Sequence, residues 1–238
     1  MDKAAKNVGG PYLSQKSSLL NDFDKIVEKY GKRLLMSRYD SNLADKIIKE
    51  SRHEYEILIS EIPDIGGRKN PRERNLIQSA WALALYRGLK SHGKTAEEAG
   101  RLSYELVEAQ LTSVPQWILR FLGRWRFTKY SLNQRRKDAL ESQKRRYHED
   151  WVLTFIEGNG NEFDFGSDAT ECGICKFFHT QGADELTPYL CRTEFAVSRA
   201  FGLGMARTMT IAEGSKVCDT RYKRGRETKP GWPELTHP

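Results

Sequence analysis

The chain has 238 residues, of which 38% are hydrophobic, 30% charged and 11% aromatic, with five tryptophans. A chain of this length buries a substantial core, and the composition excludes general disorder. No stretch approaches the roughly 20 consecutive apolar residues of a membrane span. The formal net charge of +7 divides into +9 over residues 1–150 and −2 over residues 151–238.

Residues 1–14, with Gly9, Gly10 and Pro11, read as a loose lead-in without the apolar run of a secretory signal, so the expected location is cytoplasmic. Over residues 17–62 the apolar positions recur at helical spacing: Leu19, Leu20, Phe23, Ile26, Val27 and Tyr30, then Leu43, Ile47, Ile48, Tyr55 and Ile59. Gly31 is expected to end the first of these helices, and Pro63 stops the second. A loop over 63–70 follows. Asn70-Pro71-Arg72-Glu73 predicts a helix start, with Asn70 as cap and Pro71 in the first helical position. The run 76–89 is apolar nearly all round, which predicts a buried central helix ended by Gly93. Thr95-Ala96-Glu97-Glu98 predicts a capping box opening a helix toward Leu111. A short Trp-rich segment begins at Pro115, and a basic helix is expected over 131–147. Trp81, Trp117 and Trp125 are expected to bury in a core shared between the helical and C-terminal regions.

After Asp150 the pattern changes. Residues 151–157 and 162–167 are aromatic and β-branched runs joined by Gly158-Asn159-Gly160-Asn161, a hairpin signal. Residues 170–180 and 185–201 read as helices separated by Gly182. Residues 203–211 alternate like a strand, 213–216 turn, and 217–222 return. The predicted fold class is α+β: a helical region over 1–150, then an antiparallel β-β-α-α-β-β unit over 151–238. The tail 228–238 holds three prolines and is expected to wrap the surface.

All four cysteines, Cys172, Cys175, Cys191 and Cys218, lie in the last third. In a cytoplasmic chain, structural disulfides are not expected. Cys172-x-x-Cys175 is a metal and redox spacing, and Cys191 and Cys218 would complete a four-thiolate zinc or iron–sulfur set, although 27 residues separate the second pair. Alternatively, Cys172 falls near the start of a predicted helix, where backbone N–H groups favour a thiolate nucleophile, with His179 as a candidate base two turns away. Inert buried cysteines are the third reading. In the strand 203–211, Arg207 alternates with Leu203, Met205, Met209 and Ile211. A guanidinium on an apolar face needs an anion: Asp168, Glu171 or Asp219 of the protein, or a substrate carboxylate.

The runs FDFGSDATECGICKFF, ELTPYLCRTEF and GLGMARTMTIAEGSKVCDTRYKRG together resemble the L-2-amino-thiazoline-4-carboxylic acid hydrolase family. The resemblance rests on Thr-Glu-Cys172, Leu-Cys191, Arg207-Thr-x-Thr-x-Ala-x-Gly and Cys218-Asp219, and is clear over residues 164–224. Thr220 stands where the family pattern has Phe. The resemblance implies opening of a cyclic isothiourea by water or thiol addition at its C=N carbon, with loss of the ring sulfur. Such chemistry needs a nucleophile, a proton donor and a carboxylate anchor. Cys172 or Cys218, Glu171 or Asp219, and Arg207 offer these, with Cys191 and Asp168 completing the substrate-facing set.

A small-molecule hydrolase that requires no cofactor is therefore the leading expectation. A non-catalytic small-molecule- or metal-binding sensor is the alternative. The basic segment 120–146 raises an acidic-membrane or nucleic-acid surface, but its interspersed acids fit a solvated helix, and no zinc-finger, RNA-recognition or phosphate-loop motif accompanies it. No membrane or nucleic-acid partner is expected, and the oligomeric state is left open.

Overall fold

The computed structural model describes residues 10–230 and 232. Most of the expected lead-in and much of the Pro-rich tail lie outside the described residues. Tyr12, at the end of that lead-in, is buried rather than loose. The chain divides into two compact units, Met1–Gly100 and Arg101–Pro238. No helix among the described residues is long and apolar enough to cross a membrane.

The first unit is helical: α1 (Lys16–Ile26), α2 (Lys32–Met36), α3 (Ser41–Leu58) and α4 (Glu73–Lys90). Gly31 does not end the first helix. Its φ of −64° and ψ of −46° are helical, and a π-helical turn, Val27–Gly31, joins α1 to α2. Burial of Tyr30 and Leu35 on either side outweighs the cost of about 1 kcal/mol for an interior glycine. The break falls at 37–40, where the Asp40 carboxylate accepts the Leu43 N–H at 3.0 Å and caps α3. Phe23, Tyr55 and Trp81 stack and cross at 5.1–6.3 Å between ring centroids. The Asn70 side chain accepts the Arg72 N–H at 2.9 Å, so the helix of α4 starts at Glu73, slightly later than expected.

Helix α5 (Ala96–Thr112) opens with the expected capping box: Thr95 N–H donates to Glu98 at 2.9 Å, and Glu98 N–H donates to the Thr95 hydroxyl at 3.1 Å. The second unit continues with α6 (Gln116–Trp125) and α7 (Lys129–Ser142). Strands β1 (Val152–Glu157) and β2 (Phe165–Glu171) form the hairpin, and α8 (Gly173–Thr180), α9 (Thr187–Cys191) and α10 (Thr193–Phe201) follow. Strands β3 (Met205–Arg207) and β4 (Cys218–Tyr222) complete a four-stranded sheet of order β1-β2-β4-β3, antiparallel throughout. The α+β class is as the sequence predicts.

Several boundaries differ. Strand β2 begins at Phe165 and runs through Glu171, so Cys172 stands at the strand-to-helix junction. The helix expected over 185–201 is interrupted at Arg192. Strand β3 stops at Arg207, because the Asp219 carboxylate takes the N–H groups of Thr208 and Met209 at 2.8 and 2.6 Å and pulls that segment out of the ladder. Trp117 and Trp125 are 73% and 51% exposed, contrary to the expected burial, while Trp81 is half-buried. They occupy the face of α6 opposite Leu119 and Gly123, and it is the latter face that packs.

Gly123 lies against the Phe201 carbonyl at the end of α10, and the Gln116 amide donates to the Ala200 carbonyl at 2.7 Å. A Cβ at position 123 would fall inside that carbonyl oxygen. At Gly31, by contrast, a Cβ meets only Val27 at 3.7–3.8 Å, an ordinary contact. Urea unfolding should therefore give opposite signs. Gly123→Ala destabilises by about 1–3 kcal/mol through overpacking, and Gly31→Ala stabilises by about 0.4–1 kcal/mol. Equal effects of the two variants would contradict these packing assignments.

Candidate active site

Cys172 continues the extended backbone of β2, with φ −122° and ψ 119°, and is the N-cap residue of α8. Gly173 makes the turn possible by close approach. A Cβ there would meet the buried Trp151 ring at 2.7 Å and the Glu149 carbonyl at 2.8 Å. The Trp151 indole thus lies against the first turn of α8, immediately after Cys172.

The Cys172 thiol is held below the ordinary thiol pKa. The Cys175 thiol facing it is the largest cause. Burial opposes the shift, and the amides of Cys175 and Ile174 add to it without closing a full capping hydrogen bond. The other three thiols are pushed up. For Cys175 the causes are its hydrogen bond to Cys172 and then burial. For Cys191, burial outweighs the nearby Arg207. For Cys218, burial outweighs the Ile211 N–H, which donates to its sulfur at 3.1 Å. Cys175 senses the charge of Cys172, Cys191 and Cys218, and Cys191 senses Cys172 and Cys218. The end of β2, the end of α9 and the start of β4 therefore bring the four thiols into one electrostatic neighbourhood. Among the described residues, no group of three or more His, Cys, Asp or Glu side chains is arranged to hold a metal ion.

The Arg207 side chain is only 7% exposed. It forms an ion pair with Glu194 of α10, donates to the Cys191 carbonyl at 2.7 Å, and lies 5.2 Å from the centre of the Phe195 ring. Burial alone would lower its pKa, but Glu194 and then the neighbouring Cys191 and Cys218 raise it. None of the three acids expected as its partner serves that role. Asp168 takes Arg221 at 2.6 Å, Glu171 pairs with Lys176 and Arg145, and Asp219 takes Thr208 and Met209. Nor do four apolar strand neighbours bury it, since Met209 is 42% exposed and Ile211 lies in a 3-10 turn.

Asp219 also accepts the Thr208 hydroxyl at 2.6 Å. Burial opposes its ionisation, but this hydroxyl and the adjacent amides hold its carboxyl below the usual range. His179 is exposed at the far end of α8 and pairs with Asp184 at 3.2 Å, so the structure does not bring it to Cys172. Two contributors escaped the sequence reading. Glu194 follows Cys191 by three residues within a run read as one helix, a spacing that placed both on one side. The Gly173–Trp151 contact has no local sequence signal.

The fold and site define a cysteine-bearing α+β protein, with one thiol of lowered pKa at a strand-to-helix junction, three thiols of raised pKa and a buried guanidinium. The profile of the L-2-amino-thiazoline-4-carboxylic acid hydrolase family matches residues 74–222, more than half of the chain and all four cysteines. The chain belongs to that family. No curated protein and no solved structure matches it significantly.

A lowered pKa means a larger thiolate fraction at neutral pH. Iodoacetamide labelling followed by fragment mass spectrometry should find Cys172 alkylated ahead of Cys175, Cys191 and Cys218 at pH 7. Gly173→Ala should slow Cys172 selectively by displacing Trp151 or the first turn. Uniform labelling of the four thiols would contradict the assignment.

Proposed function

We propose that the protein hydrolyses a 2-amino-thiazoline carboxylate or a close cyclic isothiourea, with Cys172 as the nucleophile. The observation that carries this reading is the activated Cys172 thiol at the start of α8, inside the segment that the family profile matches. The substrate enters as its amidinium. The Cys172 thiolate adds to the carbon between ring nitrogen and ring sulfur, giving a neutral tetrahedral centre. The carbon–sulfur ring bond then breaks, and the departing sulfur takes the proton of the Cys218 thiol, which burial keeps protonated. Water adds to the same carbon and returns a proton to Cys218. Expulsion of the Cys172 thiolate and loss of the second proton leave a carbamoyl-cysteine with a free thiol.

In this reading Arg207 anchors the substrate carboxylate in exchange for Glu194, whose side chain is 56% exposed and therefore easily displaced. The Cys191 carbonyl orients the guanidinium. Asp168, Glu171 and Asp219 are already engaged, so they serve as positioning residues and leave proton transfer to the thiol. Asp219 holds the 208–209 turn that precedes the Ile211 amide on Cys218.

Turnover of L-2-amino-thiazoline-4-carboxylate by the purified chain tests the reading. Carbon–sulfur cleavage releases a titratable thiol, whereas carbon–nitrogen cleavage releases an amine. Cys172→Ser should lower kcat by about 10³-fold or more, and retained turnover in this variant would refute the nucleophile. Arg207→Lys should raise KM about tenfold or more with little change in fold, because lysine lacks the planar fork. Glu194 raises the Cys172 pKa, so Glu194→Gln should move the acid limb of kcat/KM to lower pH. A shift upward would exclude the arrangement.

A further inference from the structure

The proposed reaction uses Cys172 and Cys218 and leaves Cys175 without a task. We propose that Cys172 and Cys175 form a thiol–disulfide redox pair, in which Cys175 resolves an oxidised Cys172. The activity arm of the test rests on the catalytic reading of Cys172, while the disulfide itself does not.

Geometry favours this partner. Cys172 is the N-cap of α8 and Cys175 is its third residue, so the two side chains rise from one turn. Side chains at that spacing lie within the span that a disulfide bridges. The extended backbone of Cys172 leaves it free of helical constraint, unlike two cysteines inside a helix. Both are free thiols and both are partly exposed. The remaining two cysteines lie on other elements. Cys218 accepts the Ile211 amide, and Cys191 closes α9 with its carbonyl on Arg207. Among the described residues, the Cys175 side chain is the largest influence on the Cys172 sulfur, ahead of the Cys175 and Ile174 amides.

The oxidant is of the hydroperoxide class. The Cys172 thiolate attacks one peroxide oxygen, the O–O bond breaks, and hydroxide leaves, giving a sulfenic acid. The Cys175 sulfur then attacks the Cys172 sulfur, the S–O bond breaks, and water leaves with the Cys175 proton. The two sulfurs together give up two electrons, and the peroxide is reduced to the level of water. The pKa of Cys175 is raised first by its hydrogen bond to the Cys172 sulfur, then by burial, and then by the charge of the Cys172 anion. Oxidation removes that anion, so the resolving thiol ionises more readily once it is needed. The product masks the nucleophile and protects it from irreversible oxidation, and an external dithiol restores both thiols.

Trypsin leaves Cys172 and Cys175 in one peptide, 147–176, and places Cys191 in 177–192 and Cys218 in 217–221. The full chain is treated with dilute hydrogen peroxide, alkylated under denaturing conditions, digested and mapped. The expected result is loss of two hydrogens within 147–176, reversed by dithiothreitol. Cys175→Ser should instead give a Cys172 sulfenic acid that dimedone traps and that excess peroxide destroys. A Cys172 link to 177–192 or 217–221, or a sulfinic acid on Cys172 with Cys175 still free, overturns the proposal. Loss of turnover on oxidation, regained with dithiothreitol, is expected in parallel. If the disulfide maps while turnover persists, the redox pair stands and the nucleophile assignment falls.

Discussion

A guanidinium cannot shed its charge, and Arg207 is almost completely enclosed. That constraint explains the local architecture on the α9–α10 side of the sheet. An unpaired charge there would be costly, so an anion and an acceptor must be delivered to the end of β3. Helix α9 ends at Cys191, which frees a terminal carbonyl, and α10 begins two residues later with Glu194 in its first turn. The carbonyl and the carboxylate both reach the same guanidinium. A single uninterrupted helix would have kept the Cys191 carbonyl in its own hydrogen-bond ladder. Meeting the charge of Arg207 therefore coincides with the break that brings Cys191 beside the other thiols.

The four cysteines illustrate how environment differentiates one side chain. Cys172 has the Cys175 thiol and two amides lowering its pKa against the opposing effect of burial. Cys191 sits near a cation yet stays protonated because burial dominates. Cys218 receives an amide and still stays protonated for the same reason. Anions repel in a shared neighbourhood, so ionising one thiol raises the cost of ionising the next. The shifts favour a single thiolate among neutral partners, the charge state that the proposed nucleophilic attack with proton return would use.

Local signals carried the fold further than the site. The Thr95–Glu98 capping box, the 158–161 hairpin connection and the apolar run of α4 are written in neighbouring residues, and they produce the elements they predict. Gly31 was misleading because glycine is only a weak helix breaker when large side chains bury on both sides of it. Strand β3 was overextended because its termination depends on Asp219, which arrives from ten residues downstream in the sequence. The same limit applies to chemistry. Cys172, Cys175 and Arg207 stood out by residue type and spacing. The partner of Arg207 did not, because all the nearby acids looked equivalent until β2 and the 208–209 turn had claimed three of them. Exposure of Trp117 and Trp125 was likewise hidden: the pattern marks an amphipathic helix, but the small face containing Gly123 is the one that packs.

The contact between Trp151 and Gly173 has an optical consequence. The emission of an indole enclosed by protein and resting on the turn after Cys172 depends on the position of that turn. The solvent-facing indoles of Trp117 and Trp125 emit at longer wavelength and yield to an aqueous quencher such as iodide. Removing their contribution leaves a signal weighted toward the enclosed indoles, Trp151 on the turn after Cys172 among them. The protein thus carries its own fluorophore at the strand-to-helix junction.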